Sequence, residues 1–393
     1  MSQSQPIRIA FVLTELTLGG AEMMLWKLLS RIDRSRFDPF IFALSGHADV
    51  MLDRFNDIGV NCSLLGMKPR FDAVAGLLRL AQKLRTLTPD IVQGWLYHGN
   101  VAATLGSALV YRRSPVLWSI RCTLPHRLLQ EKWQSALTIG LGSVLSFSAT
   151  KIIHNSHASA IEHEQRLGYR RRERIVLPNG FDTDVFRPST AAALSLRQEL
   201  GMQPDAILIG LVGRYHAMKD HPNFLRAAAL LKTSHPDVHF VLAGERVDAL
   251  NATLVRLVTE HGLTGRVHLL GRRDDVHVIT AALDIACSSS AYGEGFANII
   301  GEAMSCATPC VVTDVGDSAY IVDTTGRVVP PRAPEALAQA LSELVELGAA
   351  GRKALGARAR QRIVTTFSLD AVVRRYEALY LEVYEKAARA REA

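Results

Sequence analysis

Short apolar, β-branched runs alternate with longer amphipathic stretches along this chain, and the alternation starts afresh half way. In the first half, Ile7–Leu13, Phe40–Leu44, Asp90–Gln93, Val116–Ile120 and Lys151–His154 read as strands. Ala21–Ile32 and Met51–Gly59 read as two of the helices between them. In the second half, Ile207–Val212, Val238–Ala243, Val267–Leu270, Ile285–Cys287 and Cys310–Thr313 read as strands. A helix is expected to Lys232 with Pro222 in its first turn, and another over Asp248–His261. Strands alternating with helices pair in parallel through crossovers, so each half is expected to be an α/β, doubly wound sheet.

A chain of 393 residues suits two or three domains, each with its own core. The segment Pro178–Pro204 has few periodic apolar residues and reads as the join. The expected domains are residues 1–188, residues 189–368, and a last amphipathic, charge-rich helix over 369–393. No repeat of solenoid period and no low-complexity tract is present.

The formal net charge is +7, and it is unevenly placed. Residues 1–188 hold 23 Lys/Arg against 15 Asp/Glu, and residues 189–393 hold 22 against 23. The excess therefore lies wholly in the first half and suggests an anionic partner there. Five cysteines at irregular spacings, without a C-x-x-C pair, read as reduced thiols of a cytosolic protein. The polar opening Met1–Pro6 has no apolar core, so no secretory leader is expected. The uncharged run Gln134–Thr150 is 17 residues long but carries six Ser/Thr and two Gly, which makes it a poor spanning helix.

The strongest local constellation runs from Tyr292 through Glu294, Gly295, Phe296, Ala297, Asn298, Ile299 and Glu302 to Met304, after the strand Asp284–Cys287. Gly293 and Gly295 permit a tight turn, and Asn298 is expected to start a helix carrying Glu302. In open α/β sheets, ligands sit at strand carboxyl ends near helix N-termini, where backbone amides and the dipole attract phosphate. On one continuous helix the two carboxylates would stand ~80° apart. With Glu294 on the loop and Glu302 one turn inside the helix, both can face one cleft at different depths. That suits a ligand with two hydroxyl-bearing rings joined by phosphates, although a capping carboxylate and a solvated helix glutamate give the same spacing.

Arg214 follows the strand Ile207–Val212, and Lys219 lies five residues on. Two cations there can neutralise a diphosphate, Arg by a bidentate fork and Lys as a point charge, and stabilise charge that develops as it leaves. An ordinary basic loop is the plain alternative. Gly19-Gly20-Ala21-Glu22 lets backbone approach a phosphate or sugar, but it is not G-x-G-x-x-G and also reads as a simple strand–helix turn. His98 stands after the strand ending near Gln93, where an imidazole can orient a hydroxyl or phosphate, or serve structurally. His154-Asn155-Ser156-His157 reads as strand-end turn chemistry. Asp182-Thr183-Asp184 has a D-x-D form, yet it follows Asn179-Gly180, where Asx turns are expected, and no metal ligand is assigned. No H-E-x-x-H, G-x-S-x-G or Walker sequence occurs.

Taken in order, six segments make the chain resemble glycosyltransferase family 4 (glycosyl transferases group 1). They are Gly19–Glu22, Ile175–Asp182, Val212–Arg214 with Lys219, Glu294–Glu302 followed by Ala303-Met304, Thr313–Asp317 and Thr325–Pro330. The resemblance implies the GT-B fold, two Rossmann-like domains facing across a cleft with the C-terminal helix packing back toward the first. It also implies a retaining transferase of the hexosyl or N-acetylhexosaminyl class that uses a nucleotide sugar, UDP-linked by default, with no metal or other cofactor required. Glu294 would contact hydroxyls of the transferred sugar, and Glu302 the ribose. Arg214 and Lys219 would hold the diphosphate. Amides around Phe296, Ala297, Asn298 and Ile299 would cap the distal phosphate, Gly20 would let the first domain close on it, and His98 would lie near the donor sugar. Asp317–Val322 departs from relatives that carry Glu before an Ile/Leu-Val pair, a position expected to tune the donor.

Arg112, Arg113, Arg121, Arg127 and Lys132 surround Leu128, Leu129, Trp133 and Leu137, with Arg170, Arg171, Arg172 and Arg174 in addition. Such a surface could rest on an anionic bilayer, so a glycan or lipid-linked acceptor at the inner face of the cytoplasmic membrane is expected. Nucleic acid is not, since no stacking platform or recognition motif accompanies the charge. Two readings compete with transfer: a sugar-nucleotide epimerase of the same fold, and a nucleotide-sugar-binding protein without catalysis.

Overall fold

The computed structural model describes residues 5–67, 72–110, 114–124 and 133–392, without the side chains of 133–135. The chain forms two compact units. One comprises Met1–Gly180 with Leu369–Ala393, the other Phe181–Ser368.

The first unit is built on seven strands: β1 (Ile7–Leu13), β2 (Phe37–Ala43), β3 (Asn61–Leu64), β4 (Ile91–Trp95), β5 (Val116–Ile120), β6 (Lys151–His154) and β7 (Arg174–Val176). They lie in the order β3-β2-β1-β4-β5-β6-β7, all pairs parallel. Central strands are buried on both faces, which is why β1 reads as an almost unbroken apolar run. The sequence places the start of β2 at Phe40, but the strand begins at Phe37 and includes Pro39. Proline is tolerated there because β3 pairs with β2 only from Phe40 onward, so Pro39 has no neighbour on that side to receive an N–H.

One face of this sheet packs on helices Gly20–Arg31, Val50–Asp57 and Leu369–Glu392, through Leu25, Leu28, Phe55, Val372, Tyr376 and Tyr380. The other packs on Ala73–Leu87 and Leu96–Ala108 through Leu80, Leu84 and Ala103. The last helix thus belongs to the first core. The Tyr380 hydroxyl donates to Oε1 of the buried Gln93 at 2.7 Å.

Arg121, expected on a basic surface, is buried instead. Its guanidinium donates to the Tyr376 hydroxyl at 3.0 Å, to the Leu177 carbonyl and to Asn179 Oδ1, and lies over the Trp95 ring. The reason is topological: β5 is an interior strand, and the final helix supplies the tyrosine that meets the guanidinium at its end. Arg112, Arg113, Arg127, Leu128, Leu129 and Lys132 lie outside the described residues.

The second unit has six strands: β8 (Ile207–Val212), β9 (Val238–Ala243), β10 (Val267–Leu269), β11 (Ile285–Ser288), β12 (Cys310–Thr313) and β13 (Arg327–Val329). Their order is β10-β9-β8-β11-β12-β13, again all parallel. Helices His221–Ser234 and Pro334–Glu346 cover one face through Phe224, Leu231, Leu337 and Leu341. Helices Val276–Ala282 and Asn298–Ser305 cover the other through Ile279, Ile300 and Met304.

The structure divides the chain at Gly180/Phe181, ahead of the boundary read after residue 188. The Phe181 ring is buried in the second core against Phe296, and its amide donates to the Phe367 carbonyl at 2.9 Å. The join also holds a helix, Thr190–Glu199, started by a Ser189 side-chain cap. The helix expected from Asp248 begins at Ala252, capped by Asn251, because the Asp248 carboxylate accepts the Leu250 amide in a turn. All five cysteines are free. Among the described residues no helix is long and apolar enough to cross a membrane.

Candidate active site

Both sheets reverse their strand order once, between β1 and β4 in the first and between β8 and β11 in the second. At such a switch point the two crossovers leave in opposite directions, and a crevice opens at the strand carboxyl ends. The sequence-derived candidates fall at these two points.

In the second unit, β8 ends at Val212 and leads to Arg214, which is exposed and forms no hydrogen bond or ion pair among the described residues. The chain then makes a short turn, Ala217–Lys219, and enters helix His221–Ser234 with Asp220 as its cap. On the neighbouring strand, β11 runs into Ser289 and Ser290 and then the glycine loop around Glu294. The two loops are tied together. Lys219 Nζ donates to Glu294 Oε1 at 2.5 Å, and the Ser290 hydroxyl donates to the same oxygen at 2.8 Å. Ser289 donates to the Lys219 carbonyl at 2.8 Å, and the Ala291 amide to the Met218 carbonyl. Thr313, at the end of β12, donates to the Ser290 carbonyl at 2.6 Å.

The Glu294 loop is also gripped by the turn after β12. The Asp317 amide donates to the Gly295 carbonyl at 3.0 Å. Gly316 has φ +61°, and a Cβ there would stand 2.2 Å from the Glu294 carbonyl oxygen, so only glycine fits. The loop descends through Phe296, buried between Phe181 and Phe367, into helix Asn298–Ser305. Ala297 is the N-cap and offers no side-chain oxygen to the first turn. Ile299 lies in that first turn, and Glu302 is half-buried in the following one.

The structure therefore brings Lys219 and Glu294 into direct contact. It places Arg214 on the same loop as Lys219, and Phe296, Ala297, Asn298, Ile299 and Glu302 on the segment that continues from Glu294. Ser289, Ser290 and Thr313 were not singled out from the sequence as members of this cluster. The signal available was the polar run Ser288–Ser290 directly after an apolar strand, a point at which strand-end hydroxyls face the crevice. Next to the cluster, His221 is fully buried beside the Tyr215 ring. Burial, and then the charge of Lys219, push its pKa down to about 4, so it is neutral near pH 7.

In the first unit Gly20 opens helix Gly20–Arg31 after β1, exposed, with nothing within 4 Å of where a Cβ would stand. His98 is in the first turn of helix Leu96–Ala108 after β4, half-buried, with its pKa lowered by burial. The strand breaks into that helix at Leu96 with φ +63°, a conformation costly for a branched side chain. Asp182, of the D-x-D segment, accepts the amides of Asp184 and Val185 at 3.1 and 3.2 Å in an Asx turn. Among the described residues no three His, Cys, Asp or Glu side chains gather as metal ligands would.

Comparison with known proteins agrees with this architecture. The chain is similar to the D-inositol 3-phosphate glycosyltransferase of Mycolicibacterium gilvum, 36% identical over 176 residues, which is 43% of this chain and 38% of that one. It is 34% identical over 202 residues to the enzyme of the same name from Mycobacterium tuberculosis, covering 50% and 41%. The chain spans about two fifths of the length of the curated relatives it matches. The crystal structure of Anabaena HepE in complex with UDP shares the fold, with TM-score 0.80 and 22% identity over 96% of this chain and 100% of that one. A model of Glycosyltransferase Family 4 matches residues 18–185, and a model of Glycosyl transferases group 1 matches residues 206–347. Between them they take in both switch points and most of the chain, which belongs to the glycosyltransferases of family 4, group 1, and has their GT-B fold.

Proposed function

We propose that this protein transfers a sugar from a nucleoside diphosphate sugar, UDP-linked, to a hydroxyl of a glycan or lipid-linked acceptor of a cell envelope, with retention at the anomeric carbon. The observation that carries the proposal is the Lys219–Glu294 contact at the β8/β11 switch point, beside the N-terminus of helix Asn298–Ser305. A carboxylate suits sugar hydroxyls, and a cation with a helix N-terminus suits phosphates. The UDP reading is supported by the HepE complex, and the acceptor reading by the positive charge confined to the first half.

In this mechanism the acceptor oxygen forms its bond to the anomeric carbon on the face that the diphosphate leaves. The carbon–oxygen bond to the diphosphate breaks with its electron pair, and the hydroxyl proton passes to the departing phosphate. Arg214 and Lys219 stabilise the charge gathering on that phosphate, with the first-turn amides of helix Asn298–Ser305. Glu294, oriented by Lys219 and Ser290, accepts hydrogen bonds from the sugar, and Glu302 from the ribose. In the first unit, Gly20 after β1 and His98 after β4 are the residues assigned to the donor. No metal is assigned a part, and the reaction is placed at the cytoplasmic face of the membrane.

The test is a panel of UDP- and GDP-sugars, read by thermal shift and by release of free nucleotide. One UDP-sugar should raise the melting midpoint, by mass action, and release UDP faster when acceptor is added. Epimer formation without acceptor dependence, or no response to any donor, would falsify the assignment.

A further inference from the structure

The chain leaves β4 by a sharp break at Leu96, whose positive φ persists only where the surroundings hold it. Helix Leu96–Ala108 begins at that residue without a side-chain cap from Trp95. A Cβ on Gly94 would stand 2.3 Å from the Asn100 backbone, and one on Gly99 2.2 Å from the Val12 carbonyl oxygen. The new helix therefore folds back tightly on β4 and β1, with His98 inside the bend.

The residues on either side of Leu96 are fastened to distant segments. Trp95 Nε1 donates to the carbonyl of Ala21, the neighbour of Gly20, at 3.0 Å. The Tyr97 hydroxyl lies 2.8 Å from Nε2 of His163, on helix His157–Leu167. The direction of that bond follows from the other ring nitrogen. His163 Nδ1 is 2.7 Å from the Ser159 carbonyl oxygen, which can only accept, so Nδ1 carries the ring proton. A neutral ring then offers its lone pair at Nε2, and Tyr97 donates to it. Burial pushes the Tyr97 phenol up and the His163 imidazole down, so both are neutral near pH 7. His163 is itself fully buried, with the rings of His154 and Tyr169 centred 5.5 and 5.3 Å away. The Ser159 hydroxyl ties its helix to the Cys122 carbonyl after β5 at 2.8 Å.

We infer that Tyr97, held by His163, is a positioning residue that fixes His98 for the transfer reaction. Among the described residues the His98 side chain makes no hydrogen bond of its own, so its direction is set by the backbone beneath it. Without the Tyr97 anchor, Leu96 can relax to a negative φ, and the first turn that carries His98 swings with it. The inference rests on the reading of His98 as a residue of the donor site.

The test has one readout that needs no substrate. In the full chain with 13C-labelled histidine, the His98 ring resonance is identified by its loss in His98→Gln. Tyr97→Phe, which keeps the ring and removes only the hydroxyl, should shift and broaden that resonance. On the donor that releases nucleotide, it should lower kcat about ten- to a hundredfold with little change in KM. His163→Leu should do the same, and His163→Gln, which keeps a polar group within reach of Tyr97, should recover part of the loss. Tyr97→Phe with His163→Leu should be no slower than either single variant, because the two residues act as one unit. All are measured below their melting midpoints, so a loss of stability alone moves neither readout. A His98 resonance unmoved by both Tyr97→Phe and His163→Leu overturns the inference. So does an unchanged kcat, or losses that multiply in the double variant. A wild-type protein that releases nucleotide from no donor removes the functional reading instead, and the resonance still decides whether Tyr97 holds His98.

Discussion

Lys219 meets Glu294 because two loops from adjacent strands are held by Ser289, Ser290 and Thr313, and the pair's chemistry follows from that support. Lys219→Ala removes a cation aimed at the proposed leaving group and should lower kcat by about 10²–10³-fold, with a smaller effect on donor affinity, in steady-state assays. Glu302→Ala should do the reverse, weakening nucleotide binding in titration calorimetry more than turnover. The buried histidines predict a pH effect. His154 is pushed down to about 3 and His221 to about 4, each chiefly by burial. Both are neutral in the folded protein and take up a proton near pH 6.5 when unfolded, so the unfolded state binds more protons between those limits. Their stabilisation is complete above about pH 6.5 and is lost at about 1.4 kcal/mol per pH unit per group as pH falls toward 4. Melting temperatures should drop steeply from pH 7 to 4.5, and less steeply in a His154→Asn variant that keeps the fold.

At the scale of elements, helix Asn298–Ser305 shows what a sequence pattern reveals and conceals. Its start at Asn298 was legible, since Gly293 and Gly295 break the strand and Asn298 precedes an apolar run. Its reason for carrying Gly301 was not. A Cβ there would stand 2.1 Å from the Phe181 ring, a partner 120 positions away in the chain. Gly301→Val should therefore push the helix off the sheet, costing about 1–3 kcal/mol in chemical denaturation and weakening nucleotide binding through the displaced Glu294 loop. The helix Thr190–Glu199 was hidden because its buried face is only Ala192, Leu196 and Arg197, and what holds it is tertiary: Leu196 in the core, the Arg197–Asp284 ion pair at 2.6 Å and the Arg197 bonds to the Ala206 and Ala282 carbonyls. Periodicity detects a helix only when its buried face is written in several apolar residues.

At the scale of the molecule, each unit closes its own core, and the chain leaves the first unit at Gly180 and returns to it at Leu369. The fragment Phe181–Ser368 contains the whole of the second sheet and the Lys219–Glu294 cluster. Expressed alone it should fold cooperatively and bind UDP, without transferring sugar; an unfolded fragment by circular dichroism counts against the division. Ending the chain at Ser368 should instead uncover the buried Val372, Tyr376 and Tyr380 contacts and strand Arg121 without its tyrosine, so that the first unit fails to fold.

The order of residues alone sufficed for two parallel α/β sheets, for most strand positions and for placing Arg214, Lys219 and Glu294 after strands. Those features are local: period, breakers and caps are set by neighbours within a turn or two. Folding was needed to bury Arg121 under the last helix, to give Phe181 to the second core, to join Ser290 and Lys219 to one carboxylate oxygen, and to set Tyr97 against His163. Each of these depends on which distant segments share a surface, and burial is a property of that surface rather than of the segment.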